Sequence, residues 1–521
     1  MKTRNKTIIL PSERVKRGVL IFSFLISLFY FSWWFLPGNR LNNVLFYMLL
    51  FGEAYHLLMA WGFWFTIWPG KKENFVKYQI DFSPSVDIFI TVCGEPVEVV
   101  RKTVRGARDQ LYEKHKVYIL NDGKVANKEN WREIEEMARE EGVYCITRTI
   151  PGGAKAGNVN NGLKLTEGEL VAVLDADMVP VKIFLRKLVP YFRDKGVGFV
   201  QSPQYYKNYA ANEISKGSWE QQEFFFGSIM EGKDKSNAAF VCGTNFLIRR
   251  RAFEEVGGLQ EDNIAEDFVT SMQIHKRGWK SRYTREVLCK GLAPEDMLAY
   301  YKQQLRWARG SLESLFVNNP LFMKGLSWGQ KFQYLNSALY YFNGVIVLID
   351  IVMPLLFLFF GLRPVGATST SFALFFLPFM FLNLYTLNLA SEGRLTYRAM
   401  SFSQSSWVLQ LKALKSIIFK QKMGFSVTPK QQQEGNFLYL AYPHIFYILL
   451  TIAGAVVAIG REGINSSVAT NLAWGGFNTF MFLPYIKAAY KWERLTSRFR
   501  DKQLKPSVKK KTKAIYFKEG V

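Results

Sequence analysis

The placement of long apolar runs constrains this chain more than any other feature. Gly18–Pro37 is nearly uncharged and about 20 residues long, enough to cross a hydrocarbon core as a helix. Asn43–Pro69 follows it, interrupted by Glu53 and His56. Leu335–Leu362, Ser371–Ala390, Asn436–Gly460 and Val468–Tyr485 are four more. The sequence therefore predicts six spans, two before and four after a long charged middle. In lipid such segments must satisfy every backbone N–H and C=O internally, which leaves helix as the accessible state. The first run is too long for a cleaved signal peptide, and a second span follows it after a short loop.

The net charge of +24 is distributed unevenly. Lys2, Arg4, Lys6, Arg14, Lys16 and Arg17 precede the first run. The loop Glu392–Gln433 carries Arg394, Arg398, Lys412, Lys415, Lys420, Lys422 and Lys430, and the tail after Tyr485 is densely basic. The short loops Gly38–Asn42, Arg363–Thr370 and Arg461–Ser467 hold one Arg each. With six spans, all the basic segments fall on one side. The positive-inside bias makes that side cytoplasmic, together with both termini and the central region. Basic charge can also mark a nucleic-acid binder. Orientation bias and anionic headgroups account for it more simply here, so no nucleic acid is expected and membrane lipids are. The four cysteines, Cys93, Cys145, Cys242 and Cys289, form no CxxC pair, so neither a disulfide framework nor a zinc site is indicated.

The middle, roughly Phe75 to Lys331, alternates apolar runs of strand length with helical patterns. Candidate strands are 86–92, 116–120, 143–147, 169–174, 197–201 and 245–250. Alternation of this kind predicts a doubly wound, mostly parallel α/β sheet. In such sheets ligands bind beyond the carboxyl ends of the strands. Several candidate strands end there in polar clusters: "CGEP" after the first, "NDGK" after the second, and Asp175-Ala-Asp177 after the fourth. In an extended chain Asp175 and Asp177 would point the same way and could share one hard divalent cation.

Other stretches carry chemistry of their own. "PGGAKAGNVNNG" (151–162) can bring backbone amides and Lys155 to phosphates, although it lacks the GK[ST] ending of a Walker A loop. Glu266-Asp267 opens a helical stretch, where acids also suit the helix dipole. "QQLRWARGS" (303–311) sets Gln303, Arg306 and Trp307 on an amphipathic helix suited to a membrane interface. "GFSVTPK" (424–430) lies between the fourth and fifth runs.

In this order, Asp122, Asp175-x-Asp177, Glu266-Asp267 and Gln303-x-x-Arg306-Trp307 resemble the signature of processive membrane glycosyltransferases of family 2, which make cellulose, curdlan, hyaluronan and chitin. "FSVTPK" is similar to the FxVTxK gating loop of the cellulose synthase branch. "AKAGN" (154–158), "QSPQ" (201–204) and "VCGT" (241–244) resemble further elements of it.

The resemblance implies an α/β GT-A-like glycosyltransferase domain inserted in a multi-span α-helical membrane domain. Its expected divisions are 1–70 (tail and two transmembrane helices), 71–331 (catalytic domain with interfacial helix) and 332–390 (two transmembrane helices). After these come 391–435 (interfacial helix and gating loop), 436–487 (two transmembrane helices) and 488–521 (basic tail). The implied donor is UDP-glucose, the acceptor a growing β-glucan chain and the cofactor Mg²⁺ or Mn²⁺ held by Asp175 and Asp177. The implied general base is Asp267, with Glu266 beside it. Glu95, Asp122, Lys155, Asp175, Gln303 and Arg306 are implied at the donor. Phe425, Val427, Thr428 and Lys430 are implied to close over it, and Trp307, Cys242, Gly243 and Thr244 to meet the acceptor. The spans would pass the polymer through a plasma (inner) membrane, with Asp350, Asn343, Tyr340, Tyr341 and Glu53 as candidate lining.

The pattern departs from the family in places. Its DDG stands here as Asn121-Asp122-Gly123, its TED as Ala265-Glu266-Asp267 and its FFCGS as FVCGT. Cys93-Gly94 replaces the aromatic residue often found before the first Glu. The cyclic di-GMP-sensing PilZ domain of many bacterial cellulose synthases is expected to be absent after the last span, with regulation lost or lying elsewhere. Mixed-linkage glucan, curdlan, hyaluronan or chitin synthesis, a non-processive lipid-carrier glycosyltransferase and a transporter with an inert domain are the alternatives. Intact Asp175, Asp177, Asp267 and Arg306 argue against the transporter, and the QxxRW and gating-loop pair against the lipid-carrier enzyme.

Overall fold

In a computed structural model, the described residues are 12–70, 81–366, 368–392, 396–421 and 435–490. A seven-stranded sheet forms the centre of the region between the second and third spans. Its strands in chain order are β1 (Val86–Val92), β2 (His115–Asn121), β3 (Tyr144–Thr147), β4 (Leu170–Asp175), β6 (Val197–Gln201), β8 (Phe246–Arg249) and β9 (Lys280–Tyr283). Their spatial order is β3-β2-β1-β4-β8-β6-β9. The short strands β5 (Val179–Pro180), β7 (Tyr205–Tyr206) and β10 (Cys289–Gly291) make a second sheet. Every residue of β1 is buried, as a strand covered on both faces requires. The six strands expected from sequence are present. In the seven-stranded sheet the pairing is parallel except for β8, which runs antiparallel between β4 and β6.

Register decides what meets at the carboxyl edge. Val92 stands opposite Asn121 and Thr91 opposite Asp175. The segments following β1, β2 and β4 therefore start from one edge. Because β8 is antiparallel, its beginning lies beside the end of β4, with Phe246 opposite Val173. The loop before β8, which holds Cys242, Gly243 and Thr244, thus arrives at the same edge. Two apolar layers sandwich the sheet. Ile88, Ile90, Val104 and Ile134 lie on one side, and Phe89, Val159, Phe199 and Phe253 on the other.

Among the described residues five helical segments are long and apolar enough to cross a membrane: Glu13–Trp33, Asn43–Thr66, Trp328–Phe360, Ser369–Ala390 and Leu438–Glu462. The sixth expected span is also a helix, Ser466–Ala489, of 24 residues. Asn471, Asn478 and two adjacent glycines make it less apolar, and it falls outside that group. Gly475 packs on Thr451 of the neighbouring helix. The third span breaks at a 3-10 turn, Tyr340–Phe342, before continuing as Asn343–Phe360. Polar side chains within the helices pair across them. Trp64 Nε1 donates to Thr386 Oγ1 at 2.9 Å, and His56 Nε2 lies 3.1 Å from Asp350 Oδ2.

Two amphipathic helices join the sheet region to the spans. Met297–Phe316 and Trp407–Ile418 pack through Ala308, Leu312, Leu409 and Ala413. Arg309 in the first donates to Ser416 Oγ in the second at 2.7 Å and to the carbonyl of Gln421 at 3.3 Å.

Candidate active site

The polar edge is held by a chain of specific bonds. Asp122 follows β2, and both its oxygens accept from Arg148, at 2.8 Å from Nε and 2.6 Å from Nη2. Burial pushes the Asp122 carboxyl up, and Arg148 opposes the shift. Arg148 also donates to the carbonyls of Gly152 and Ala154. The Gly-rich segment is therefore tied to the end of β3, and its glycines serve the turn. Gly152 and Gly153 have φ of 135° and 63°, a region in which only glycine is unstrained. The sequence reading overlooked Arg148; its place between a strand and a Gly-rich turn was the available signal. Glu95, after β1, is buried and accepts from the N–H of Cys93 at 2.6 Å.

The Gly-rich segment opens the helix Ala154–Lys164. This aims Lys155 across the edge, where its ammonium contacts Asp175 and donates to the Gly243 carbonyl at 2.7 Å. Burial disfavours the Lys155 charge, but Asp175, Glu266 and Asp267 outweigh it and hold its pKa above the ordinary value. The Asp175 N–H in turn donates to Thr244 Oγ1 at 2.8 Å. The 242–244 loop is braced from β6: the Cys242 N–H donates to Gln201 Oε1 at 2.9 Å, and Gln204 Nε2 donates to the Cys242 carbonyl at 2.6 Å. The "QSPQ" stretch thus acts as a frame for that loop.

Glu266 and Asp267 begin the helix Glu266–Lys276. Asp267 Oδ1 accepts from the N–H of Phe268 at 2.7 Å. A Cβ placed on Gly243, whose φ is +77°, would stand 3.3 Å from Asp267 Oδ2 and 3.8 Å from Lys155 Nζ. Asp175, Lys155, Gly243 and Asp267 therefore form one cluster. Burial raises the pKa of both Glu266 and Asp267, the Asp267 charge raises Glu266 further, and Lys155 and Arg306 pull both back down. Arg306 is thus within electrostatic reach of both acids. Its helix approaches theirs because Gly310 has no side chain: a Cβ there would fall 2.5 Å from the Cβ of Ala265. The Ala in place of the family's Thr fits this close crossing. Gly310 also went unnoticed in the sequence, although it closes the "QQLRWARG" run.

The shared direction expected of Asp175 and Asp177 needs correction. β4 ends at Asp175 and the chain turns, with the Met178 N–H donating to the Asp175 carbonyl at 3.0 Å. Strand alternation therefore does not relate the two side chains. Asp177 is buried, and its Oδ2 accepts from the N–H of Leu292 at 3.0 Å, joining the turn to the segment after β10. Asp175 is more open, with 36% side-chain exposure, and with the Gly243 carbonyl it already receives a cation, the Lys155 ammonium. Its carboxylate and that of Asp177 are the hard oxygen donors that a divalent ion takes. Among the described residues no group of three or more His, Cys, Asp or Glu could hold a metal alone. The donor set fits an ion whose remaining ligands come from water and phosphate. Gln303 and Trp307 are both half-buried on the Arg306 helix. Phe425, Val427, Thr428 and Lys430 lie outside the described residues.

Comparison with known proteins agrees with this architecture. The family described as "Glycosyl transferase family group 2" matches residues 170–387. The "Cellulose synthase catalytic subunit [UDP-forming]" of Xanthomonas axonopodis pv. citri is 30% identical over 495 residues, covering 90% of this chain and 67% of that protein. The protein of the same description from Pseudomonas fluorescens is 29% identical over 452 residues, 83% of this chain and 60% of that one. "Cellulose synthase 1" of Komagataeibacter xylinus is 31% identical over 462 residues, 85% of this chain and 29% of that one. The chain thus spans less than two thirds of the length of several relatives. An α/β domain inserted among apolar helices, the acid motifs and Arg306 close to one sheet edge, and these likenesses agree: the chain is a multi-pass membrane protein of glycosyltransferase family 2, in its cellulose synthase branch.

Proposed function

We propose that this protein is a processive, inverting β-glucan synthase that transfers glucose from UDP-glucose to a growing polysaccharide and moves the product across the plasma (inner) membrane. The observation that carries this reading is the convergence of Asp175, Lys155, Gly243 and Asp267 on one edge. There a cation-receptive carboxylate stands beside a half-buried acid that can act as a base.

In this mechanism the hydroxyl of the chain's terminal sugar attacks the anomeric carbon from the face opposite UDP. Asp267 takes the proton of that hydroxyl. A pKa raised by burial makes its carboxylate a stronger base than a solvated aspartate. Glu266, raised with it, shares the load of placing two acids side by side. Lys155 and Arg306 hold positive charge where the diphosphate departs, and Arg306 can offer a bidentate contact. Asp175, with Asp177, would hold Mg²⁺ or Mn²⁺, which when bound neutralises charge developing on the leaving group. Asp122 and Glu95 line the nucleotide end, with Gln303 on the Arg306 helix. Trp307 offers a flat face to the acceptor sugar, next to Cys242, Gly243 and Thr244. The hydrogen bond from Arg309 to Gln421 brings the approach to the 424–430 segment next to the Arg306 helix. This supports a role for Phe425, Val427, Thr428 and Lys430 in closing over the donor, as lids do to exclude water.

The test is UDP release by the purified chain in liposomes with UDP-glucose and Mg²⁺ or Mn²⁺, followed by digestion with linkage-specific glucanases. A β-1,4-digestible product that Asp267→Asn abolishes is the expected outcome. A product cut only by β-1,3 or mixed-linkage enzymes would replace the linkage. Release only from an amino-sugar or uronic-acid donor would replace the donor with that of a chitin or hyaluronan type of synthase.

A further inference from the structure

A groove of about 650 Å³ opens on the outer surface of the helical region, where Glu13–Trp33, Asn43–Thr66 and Trp328–Leu339 meet. Its wall is almost entirely apolar and largely aromatic, built from Leu20, Phe24, Trp61, Phe65, Trp68 and Trp328. Trp328 is 77% exposed and Phe65 48% exposed, so among the described residues nothing else fills the groove. Aromatic rings commonly ring a membrane protein at the headgroup level, but such belts stand on convex surfaces, and this site is concave. Trp68 precedes the α/β domain in the chain and Trp328 follows it. The groove therefore opens at the membrane face beside that domain. From Trp61 to Trp68 the wall runs about 10 Å at 1.5 Å per residue, the reach of the upper part of an acyl chain.

Cations surround its mouth. The Arg17 guanidinium donates to the Pro69 carbonyl at 3.3 Å. The stem of Lys235 passes Gly70, within 3.6 Å of where a Cβ would stand. The Lys331 ammonium sits 4.8 Å from the centre of the Trp328 ring. Of the described acids close to these cations in sequence, Glu13 faces Lys16 at 3.7 Å and Asp234 faces Arg282 at 3.3 Å. An apolar slot under a cationic rim is complementary to a lipid with a negative headgroup.

We propose that this groove binds one phospholipid of the adjacent leaflet, its acyl chain against the aromatic wall and its anionic headgroup at Arg17, Lys235 and Lys331. The inference rests on the helices crossing a membrane and is independent of the reaction catalysed. The bound lipid would secure the joint at which the α/β domain leaves the second span. There the helix Met230–Lys235 packs so closely that a Cβ on Gly232 would overlap the Thr66 carbonyl.

The test is native mass spectrometry of the delipidated full chain titrated with phosphatidylglycerol or phosphatidylcholine. One phosphatidylglycerol should be retained per chain, and phosphatidylcholine far more weakly. Each rim charge contributes about 5-fold in affinity, so Arg17→Gln with Lys235→Gln should weaken phosphatidylglycerol roughly 25-fold. Gly329 lines the groove, and its Cβ direction is open; Gly329→Phe should fill the slot and remove the bound lipid in a chain that still elutes as folded. Equal retention of both lipids, or retention unchanged by Gly329→Phe, would overturn the proposal. If the double variant does not fold, the Gly329→Phe result decides alone.

Discussion

The ammonium of Lys155 donates to the Gly243 carbonyl at 2.7 Å while contacting Asp175, which joins a helix start, a strand end and a loop that are far apart in sequence. Lys155→Met removes the charge and keeps most of the stem. Loss of one preorganised positive group at a site of developing negative charge is expected to lower kcat about 100-fold. Single-turnover UDP release with saturating donor checks it.

The same variant should move the pH profile. Burial raises the Asp267 pKa and Lys155 lowers it. The acid limb of kcat/KM should therefore lie above the ordinary aspartate value of about 3.9. In Lys155→Met it should move further up, because a cation that favoured the carboxylate is gone. Stability has the opposite sense. Glu266 and Asp267 bind protons more tightly folded than unfolded, so their contribution falls as pH rises from the unfolded pKa through the raised folded ones. Thermal unfolding across that window should show wild type losing stability that Glu266→Gln retains.

Gly243→Ala tests the crowding at the acid. The backbone there has φ +77°, and the new Cβ would stand 3.3 Å from Asp267 Oδ2. Left-handed strain costs about 1–2 kcal/mol, visible as a lower Tm. Turnover should fall further than the strain alone accounts for, because Asp267 must shift.

Arg148→Ala leaves Asp122 buried without its bidentate partner and frees the carbonyls of Gly152 and Ala154. Breaking a buried pair on one side costs about 3–5 kcal/mol. The α/β domain should unfold at markedly lower denaturant, and Arg148→Lys should recover only part of the loss because a single ammonium cannot replace the fork. Denaturant titration of the two variants separates these outcomes.

Gly310→Leu should separate the Arg306 helix from the acid helix, since even a Cβ would fall 2.5 Å from Ala265. Overpacking of this kind costs about 1–3 kcal/mol. The expected signature is a fall in kcat larger than any change in KM for UDP-glucose, measured by steady-state UDP release.

The sequence by itself determined the membrane-length helices and most of the sheet, because each follows from local pattern. Apolar runs of membrane length can only be helix in lipid, and β1 and β6 coincide with the runs 86–92 and 197–201. It also named the acids and the Arg-Trp pair, whose order along the chain is specific. The strands β5, β7, β9 and β10 escaped it: β5, β7 and β10 have only two or three residues, and β9 reads as the polar run KSRY. Tertiary structure alone decided how the named residues meet. The antiparallel β8 delivers Gly243 to the end of β4, Arg148 occupies Asp122, and the turn after Asp175 sends Asp177 toward Leu292. Those outcomes depend on strand order and register, which are set by pairing between distant segments. No local pattern of residues encodes them.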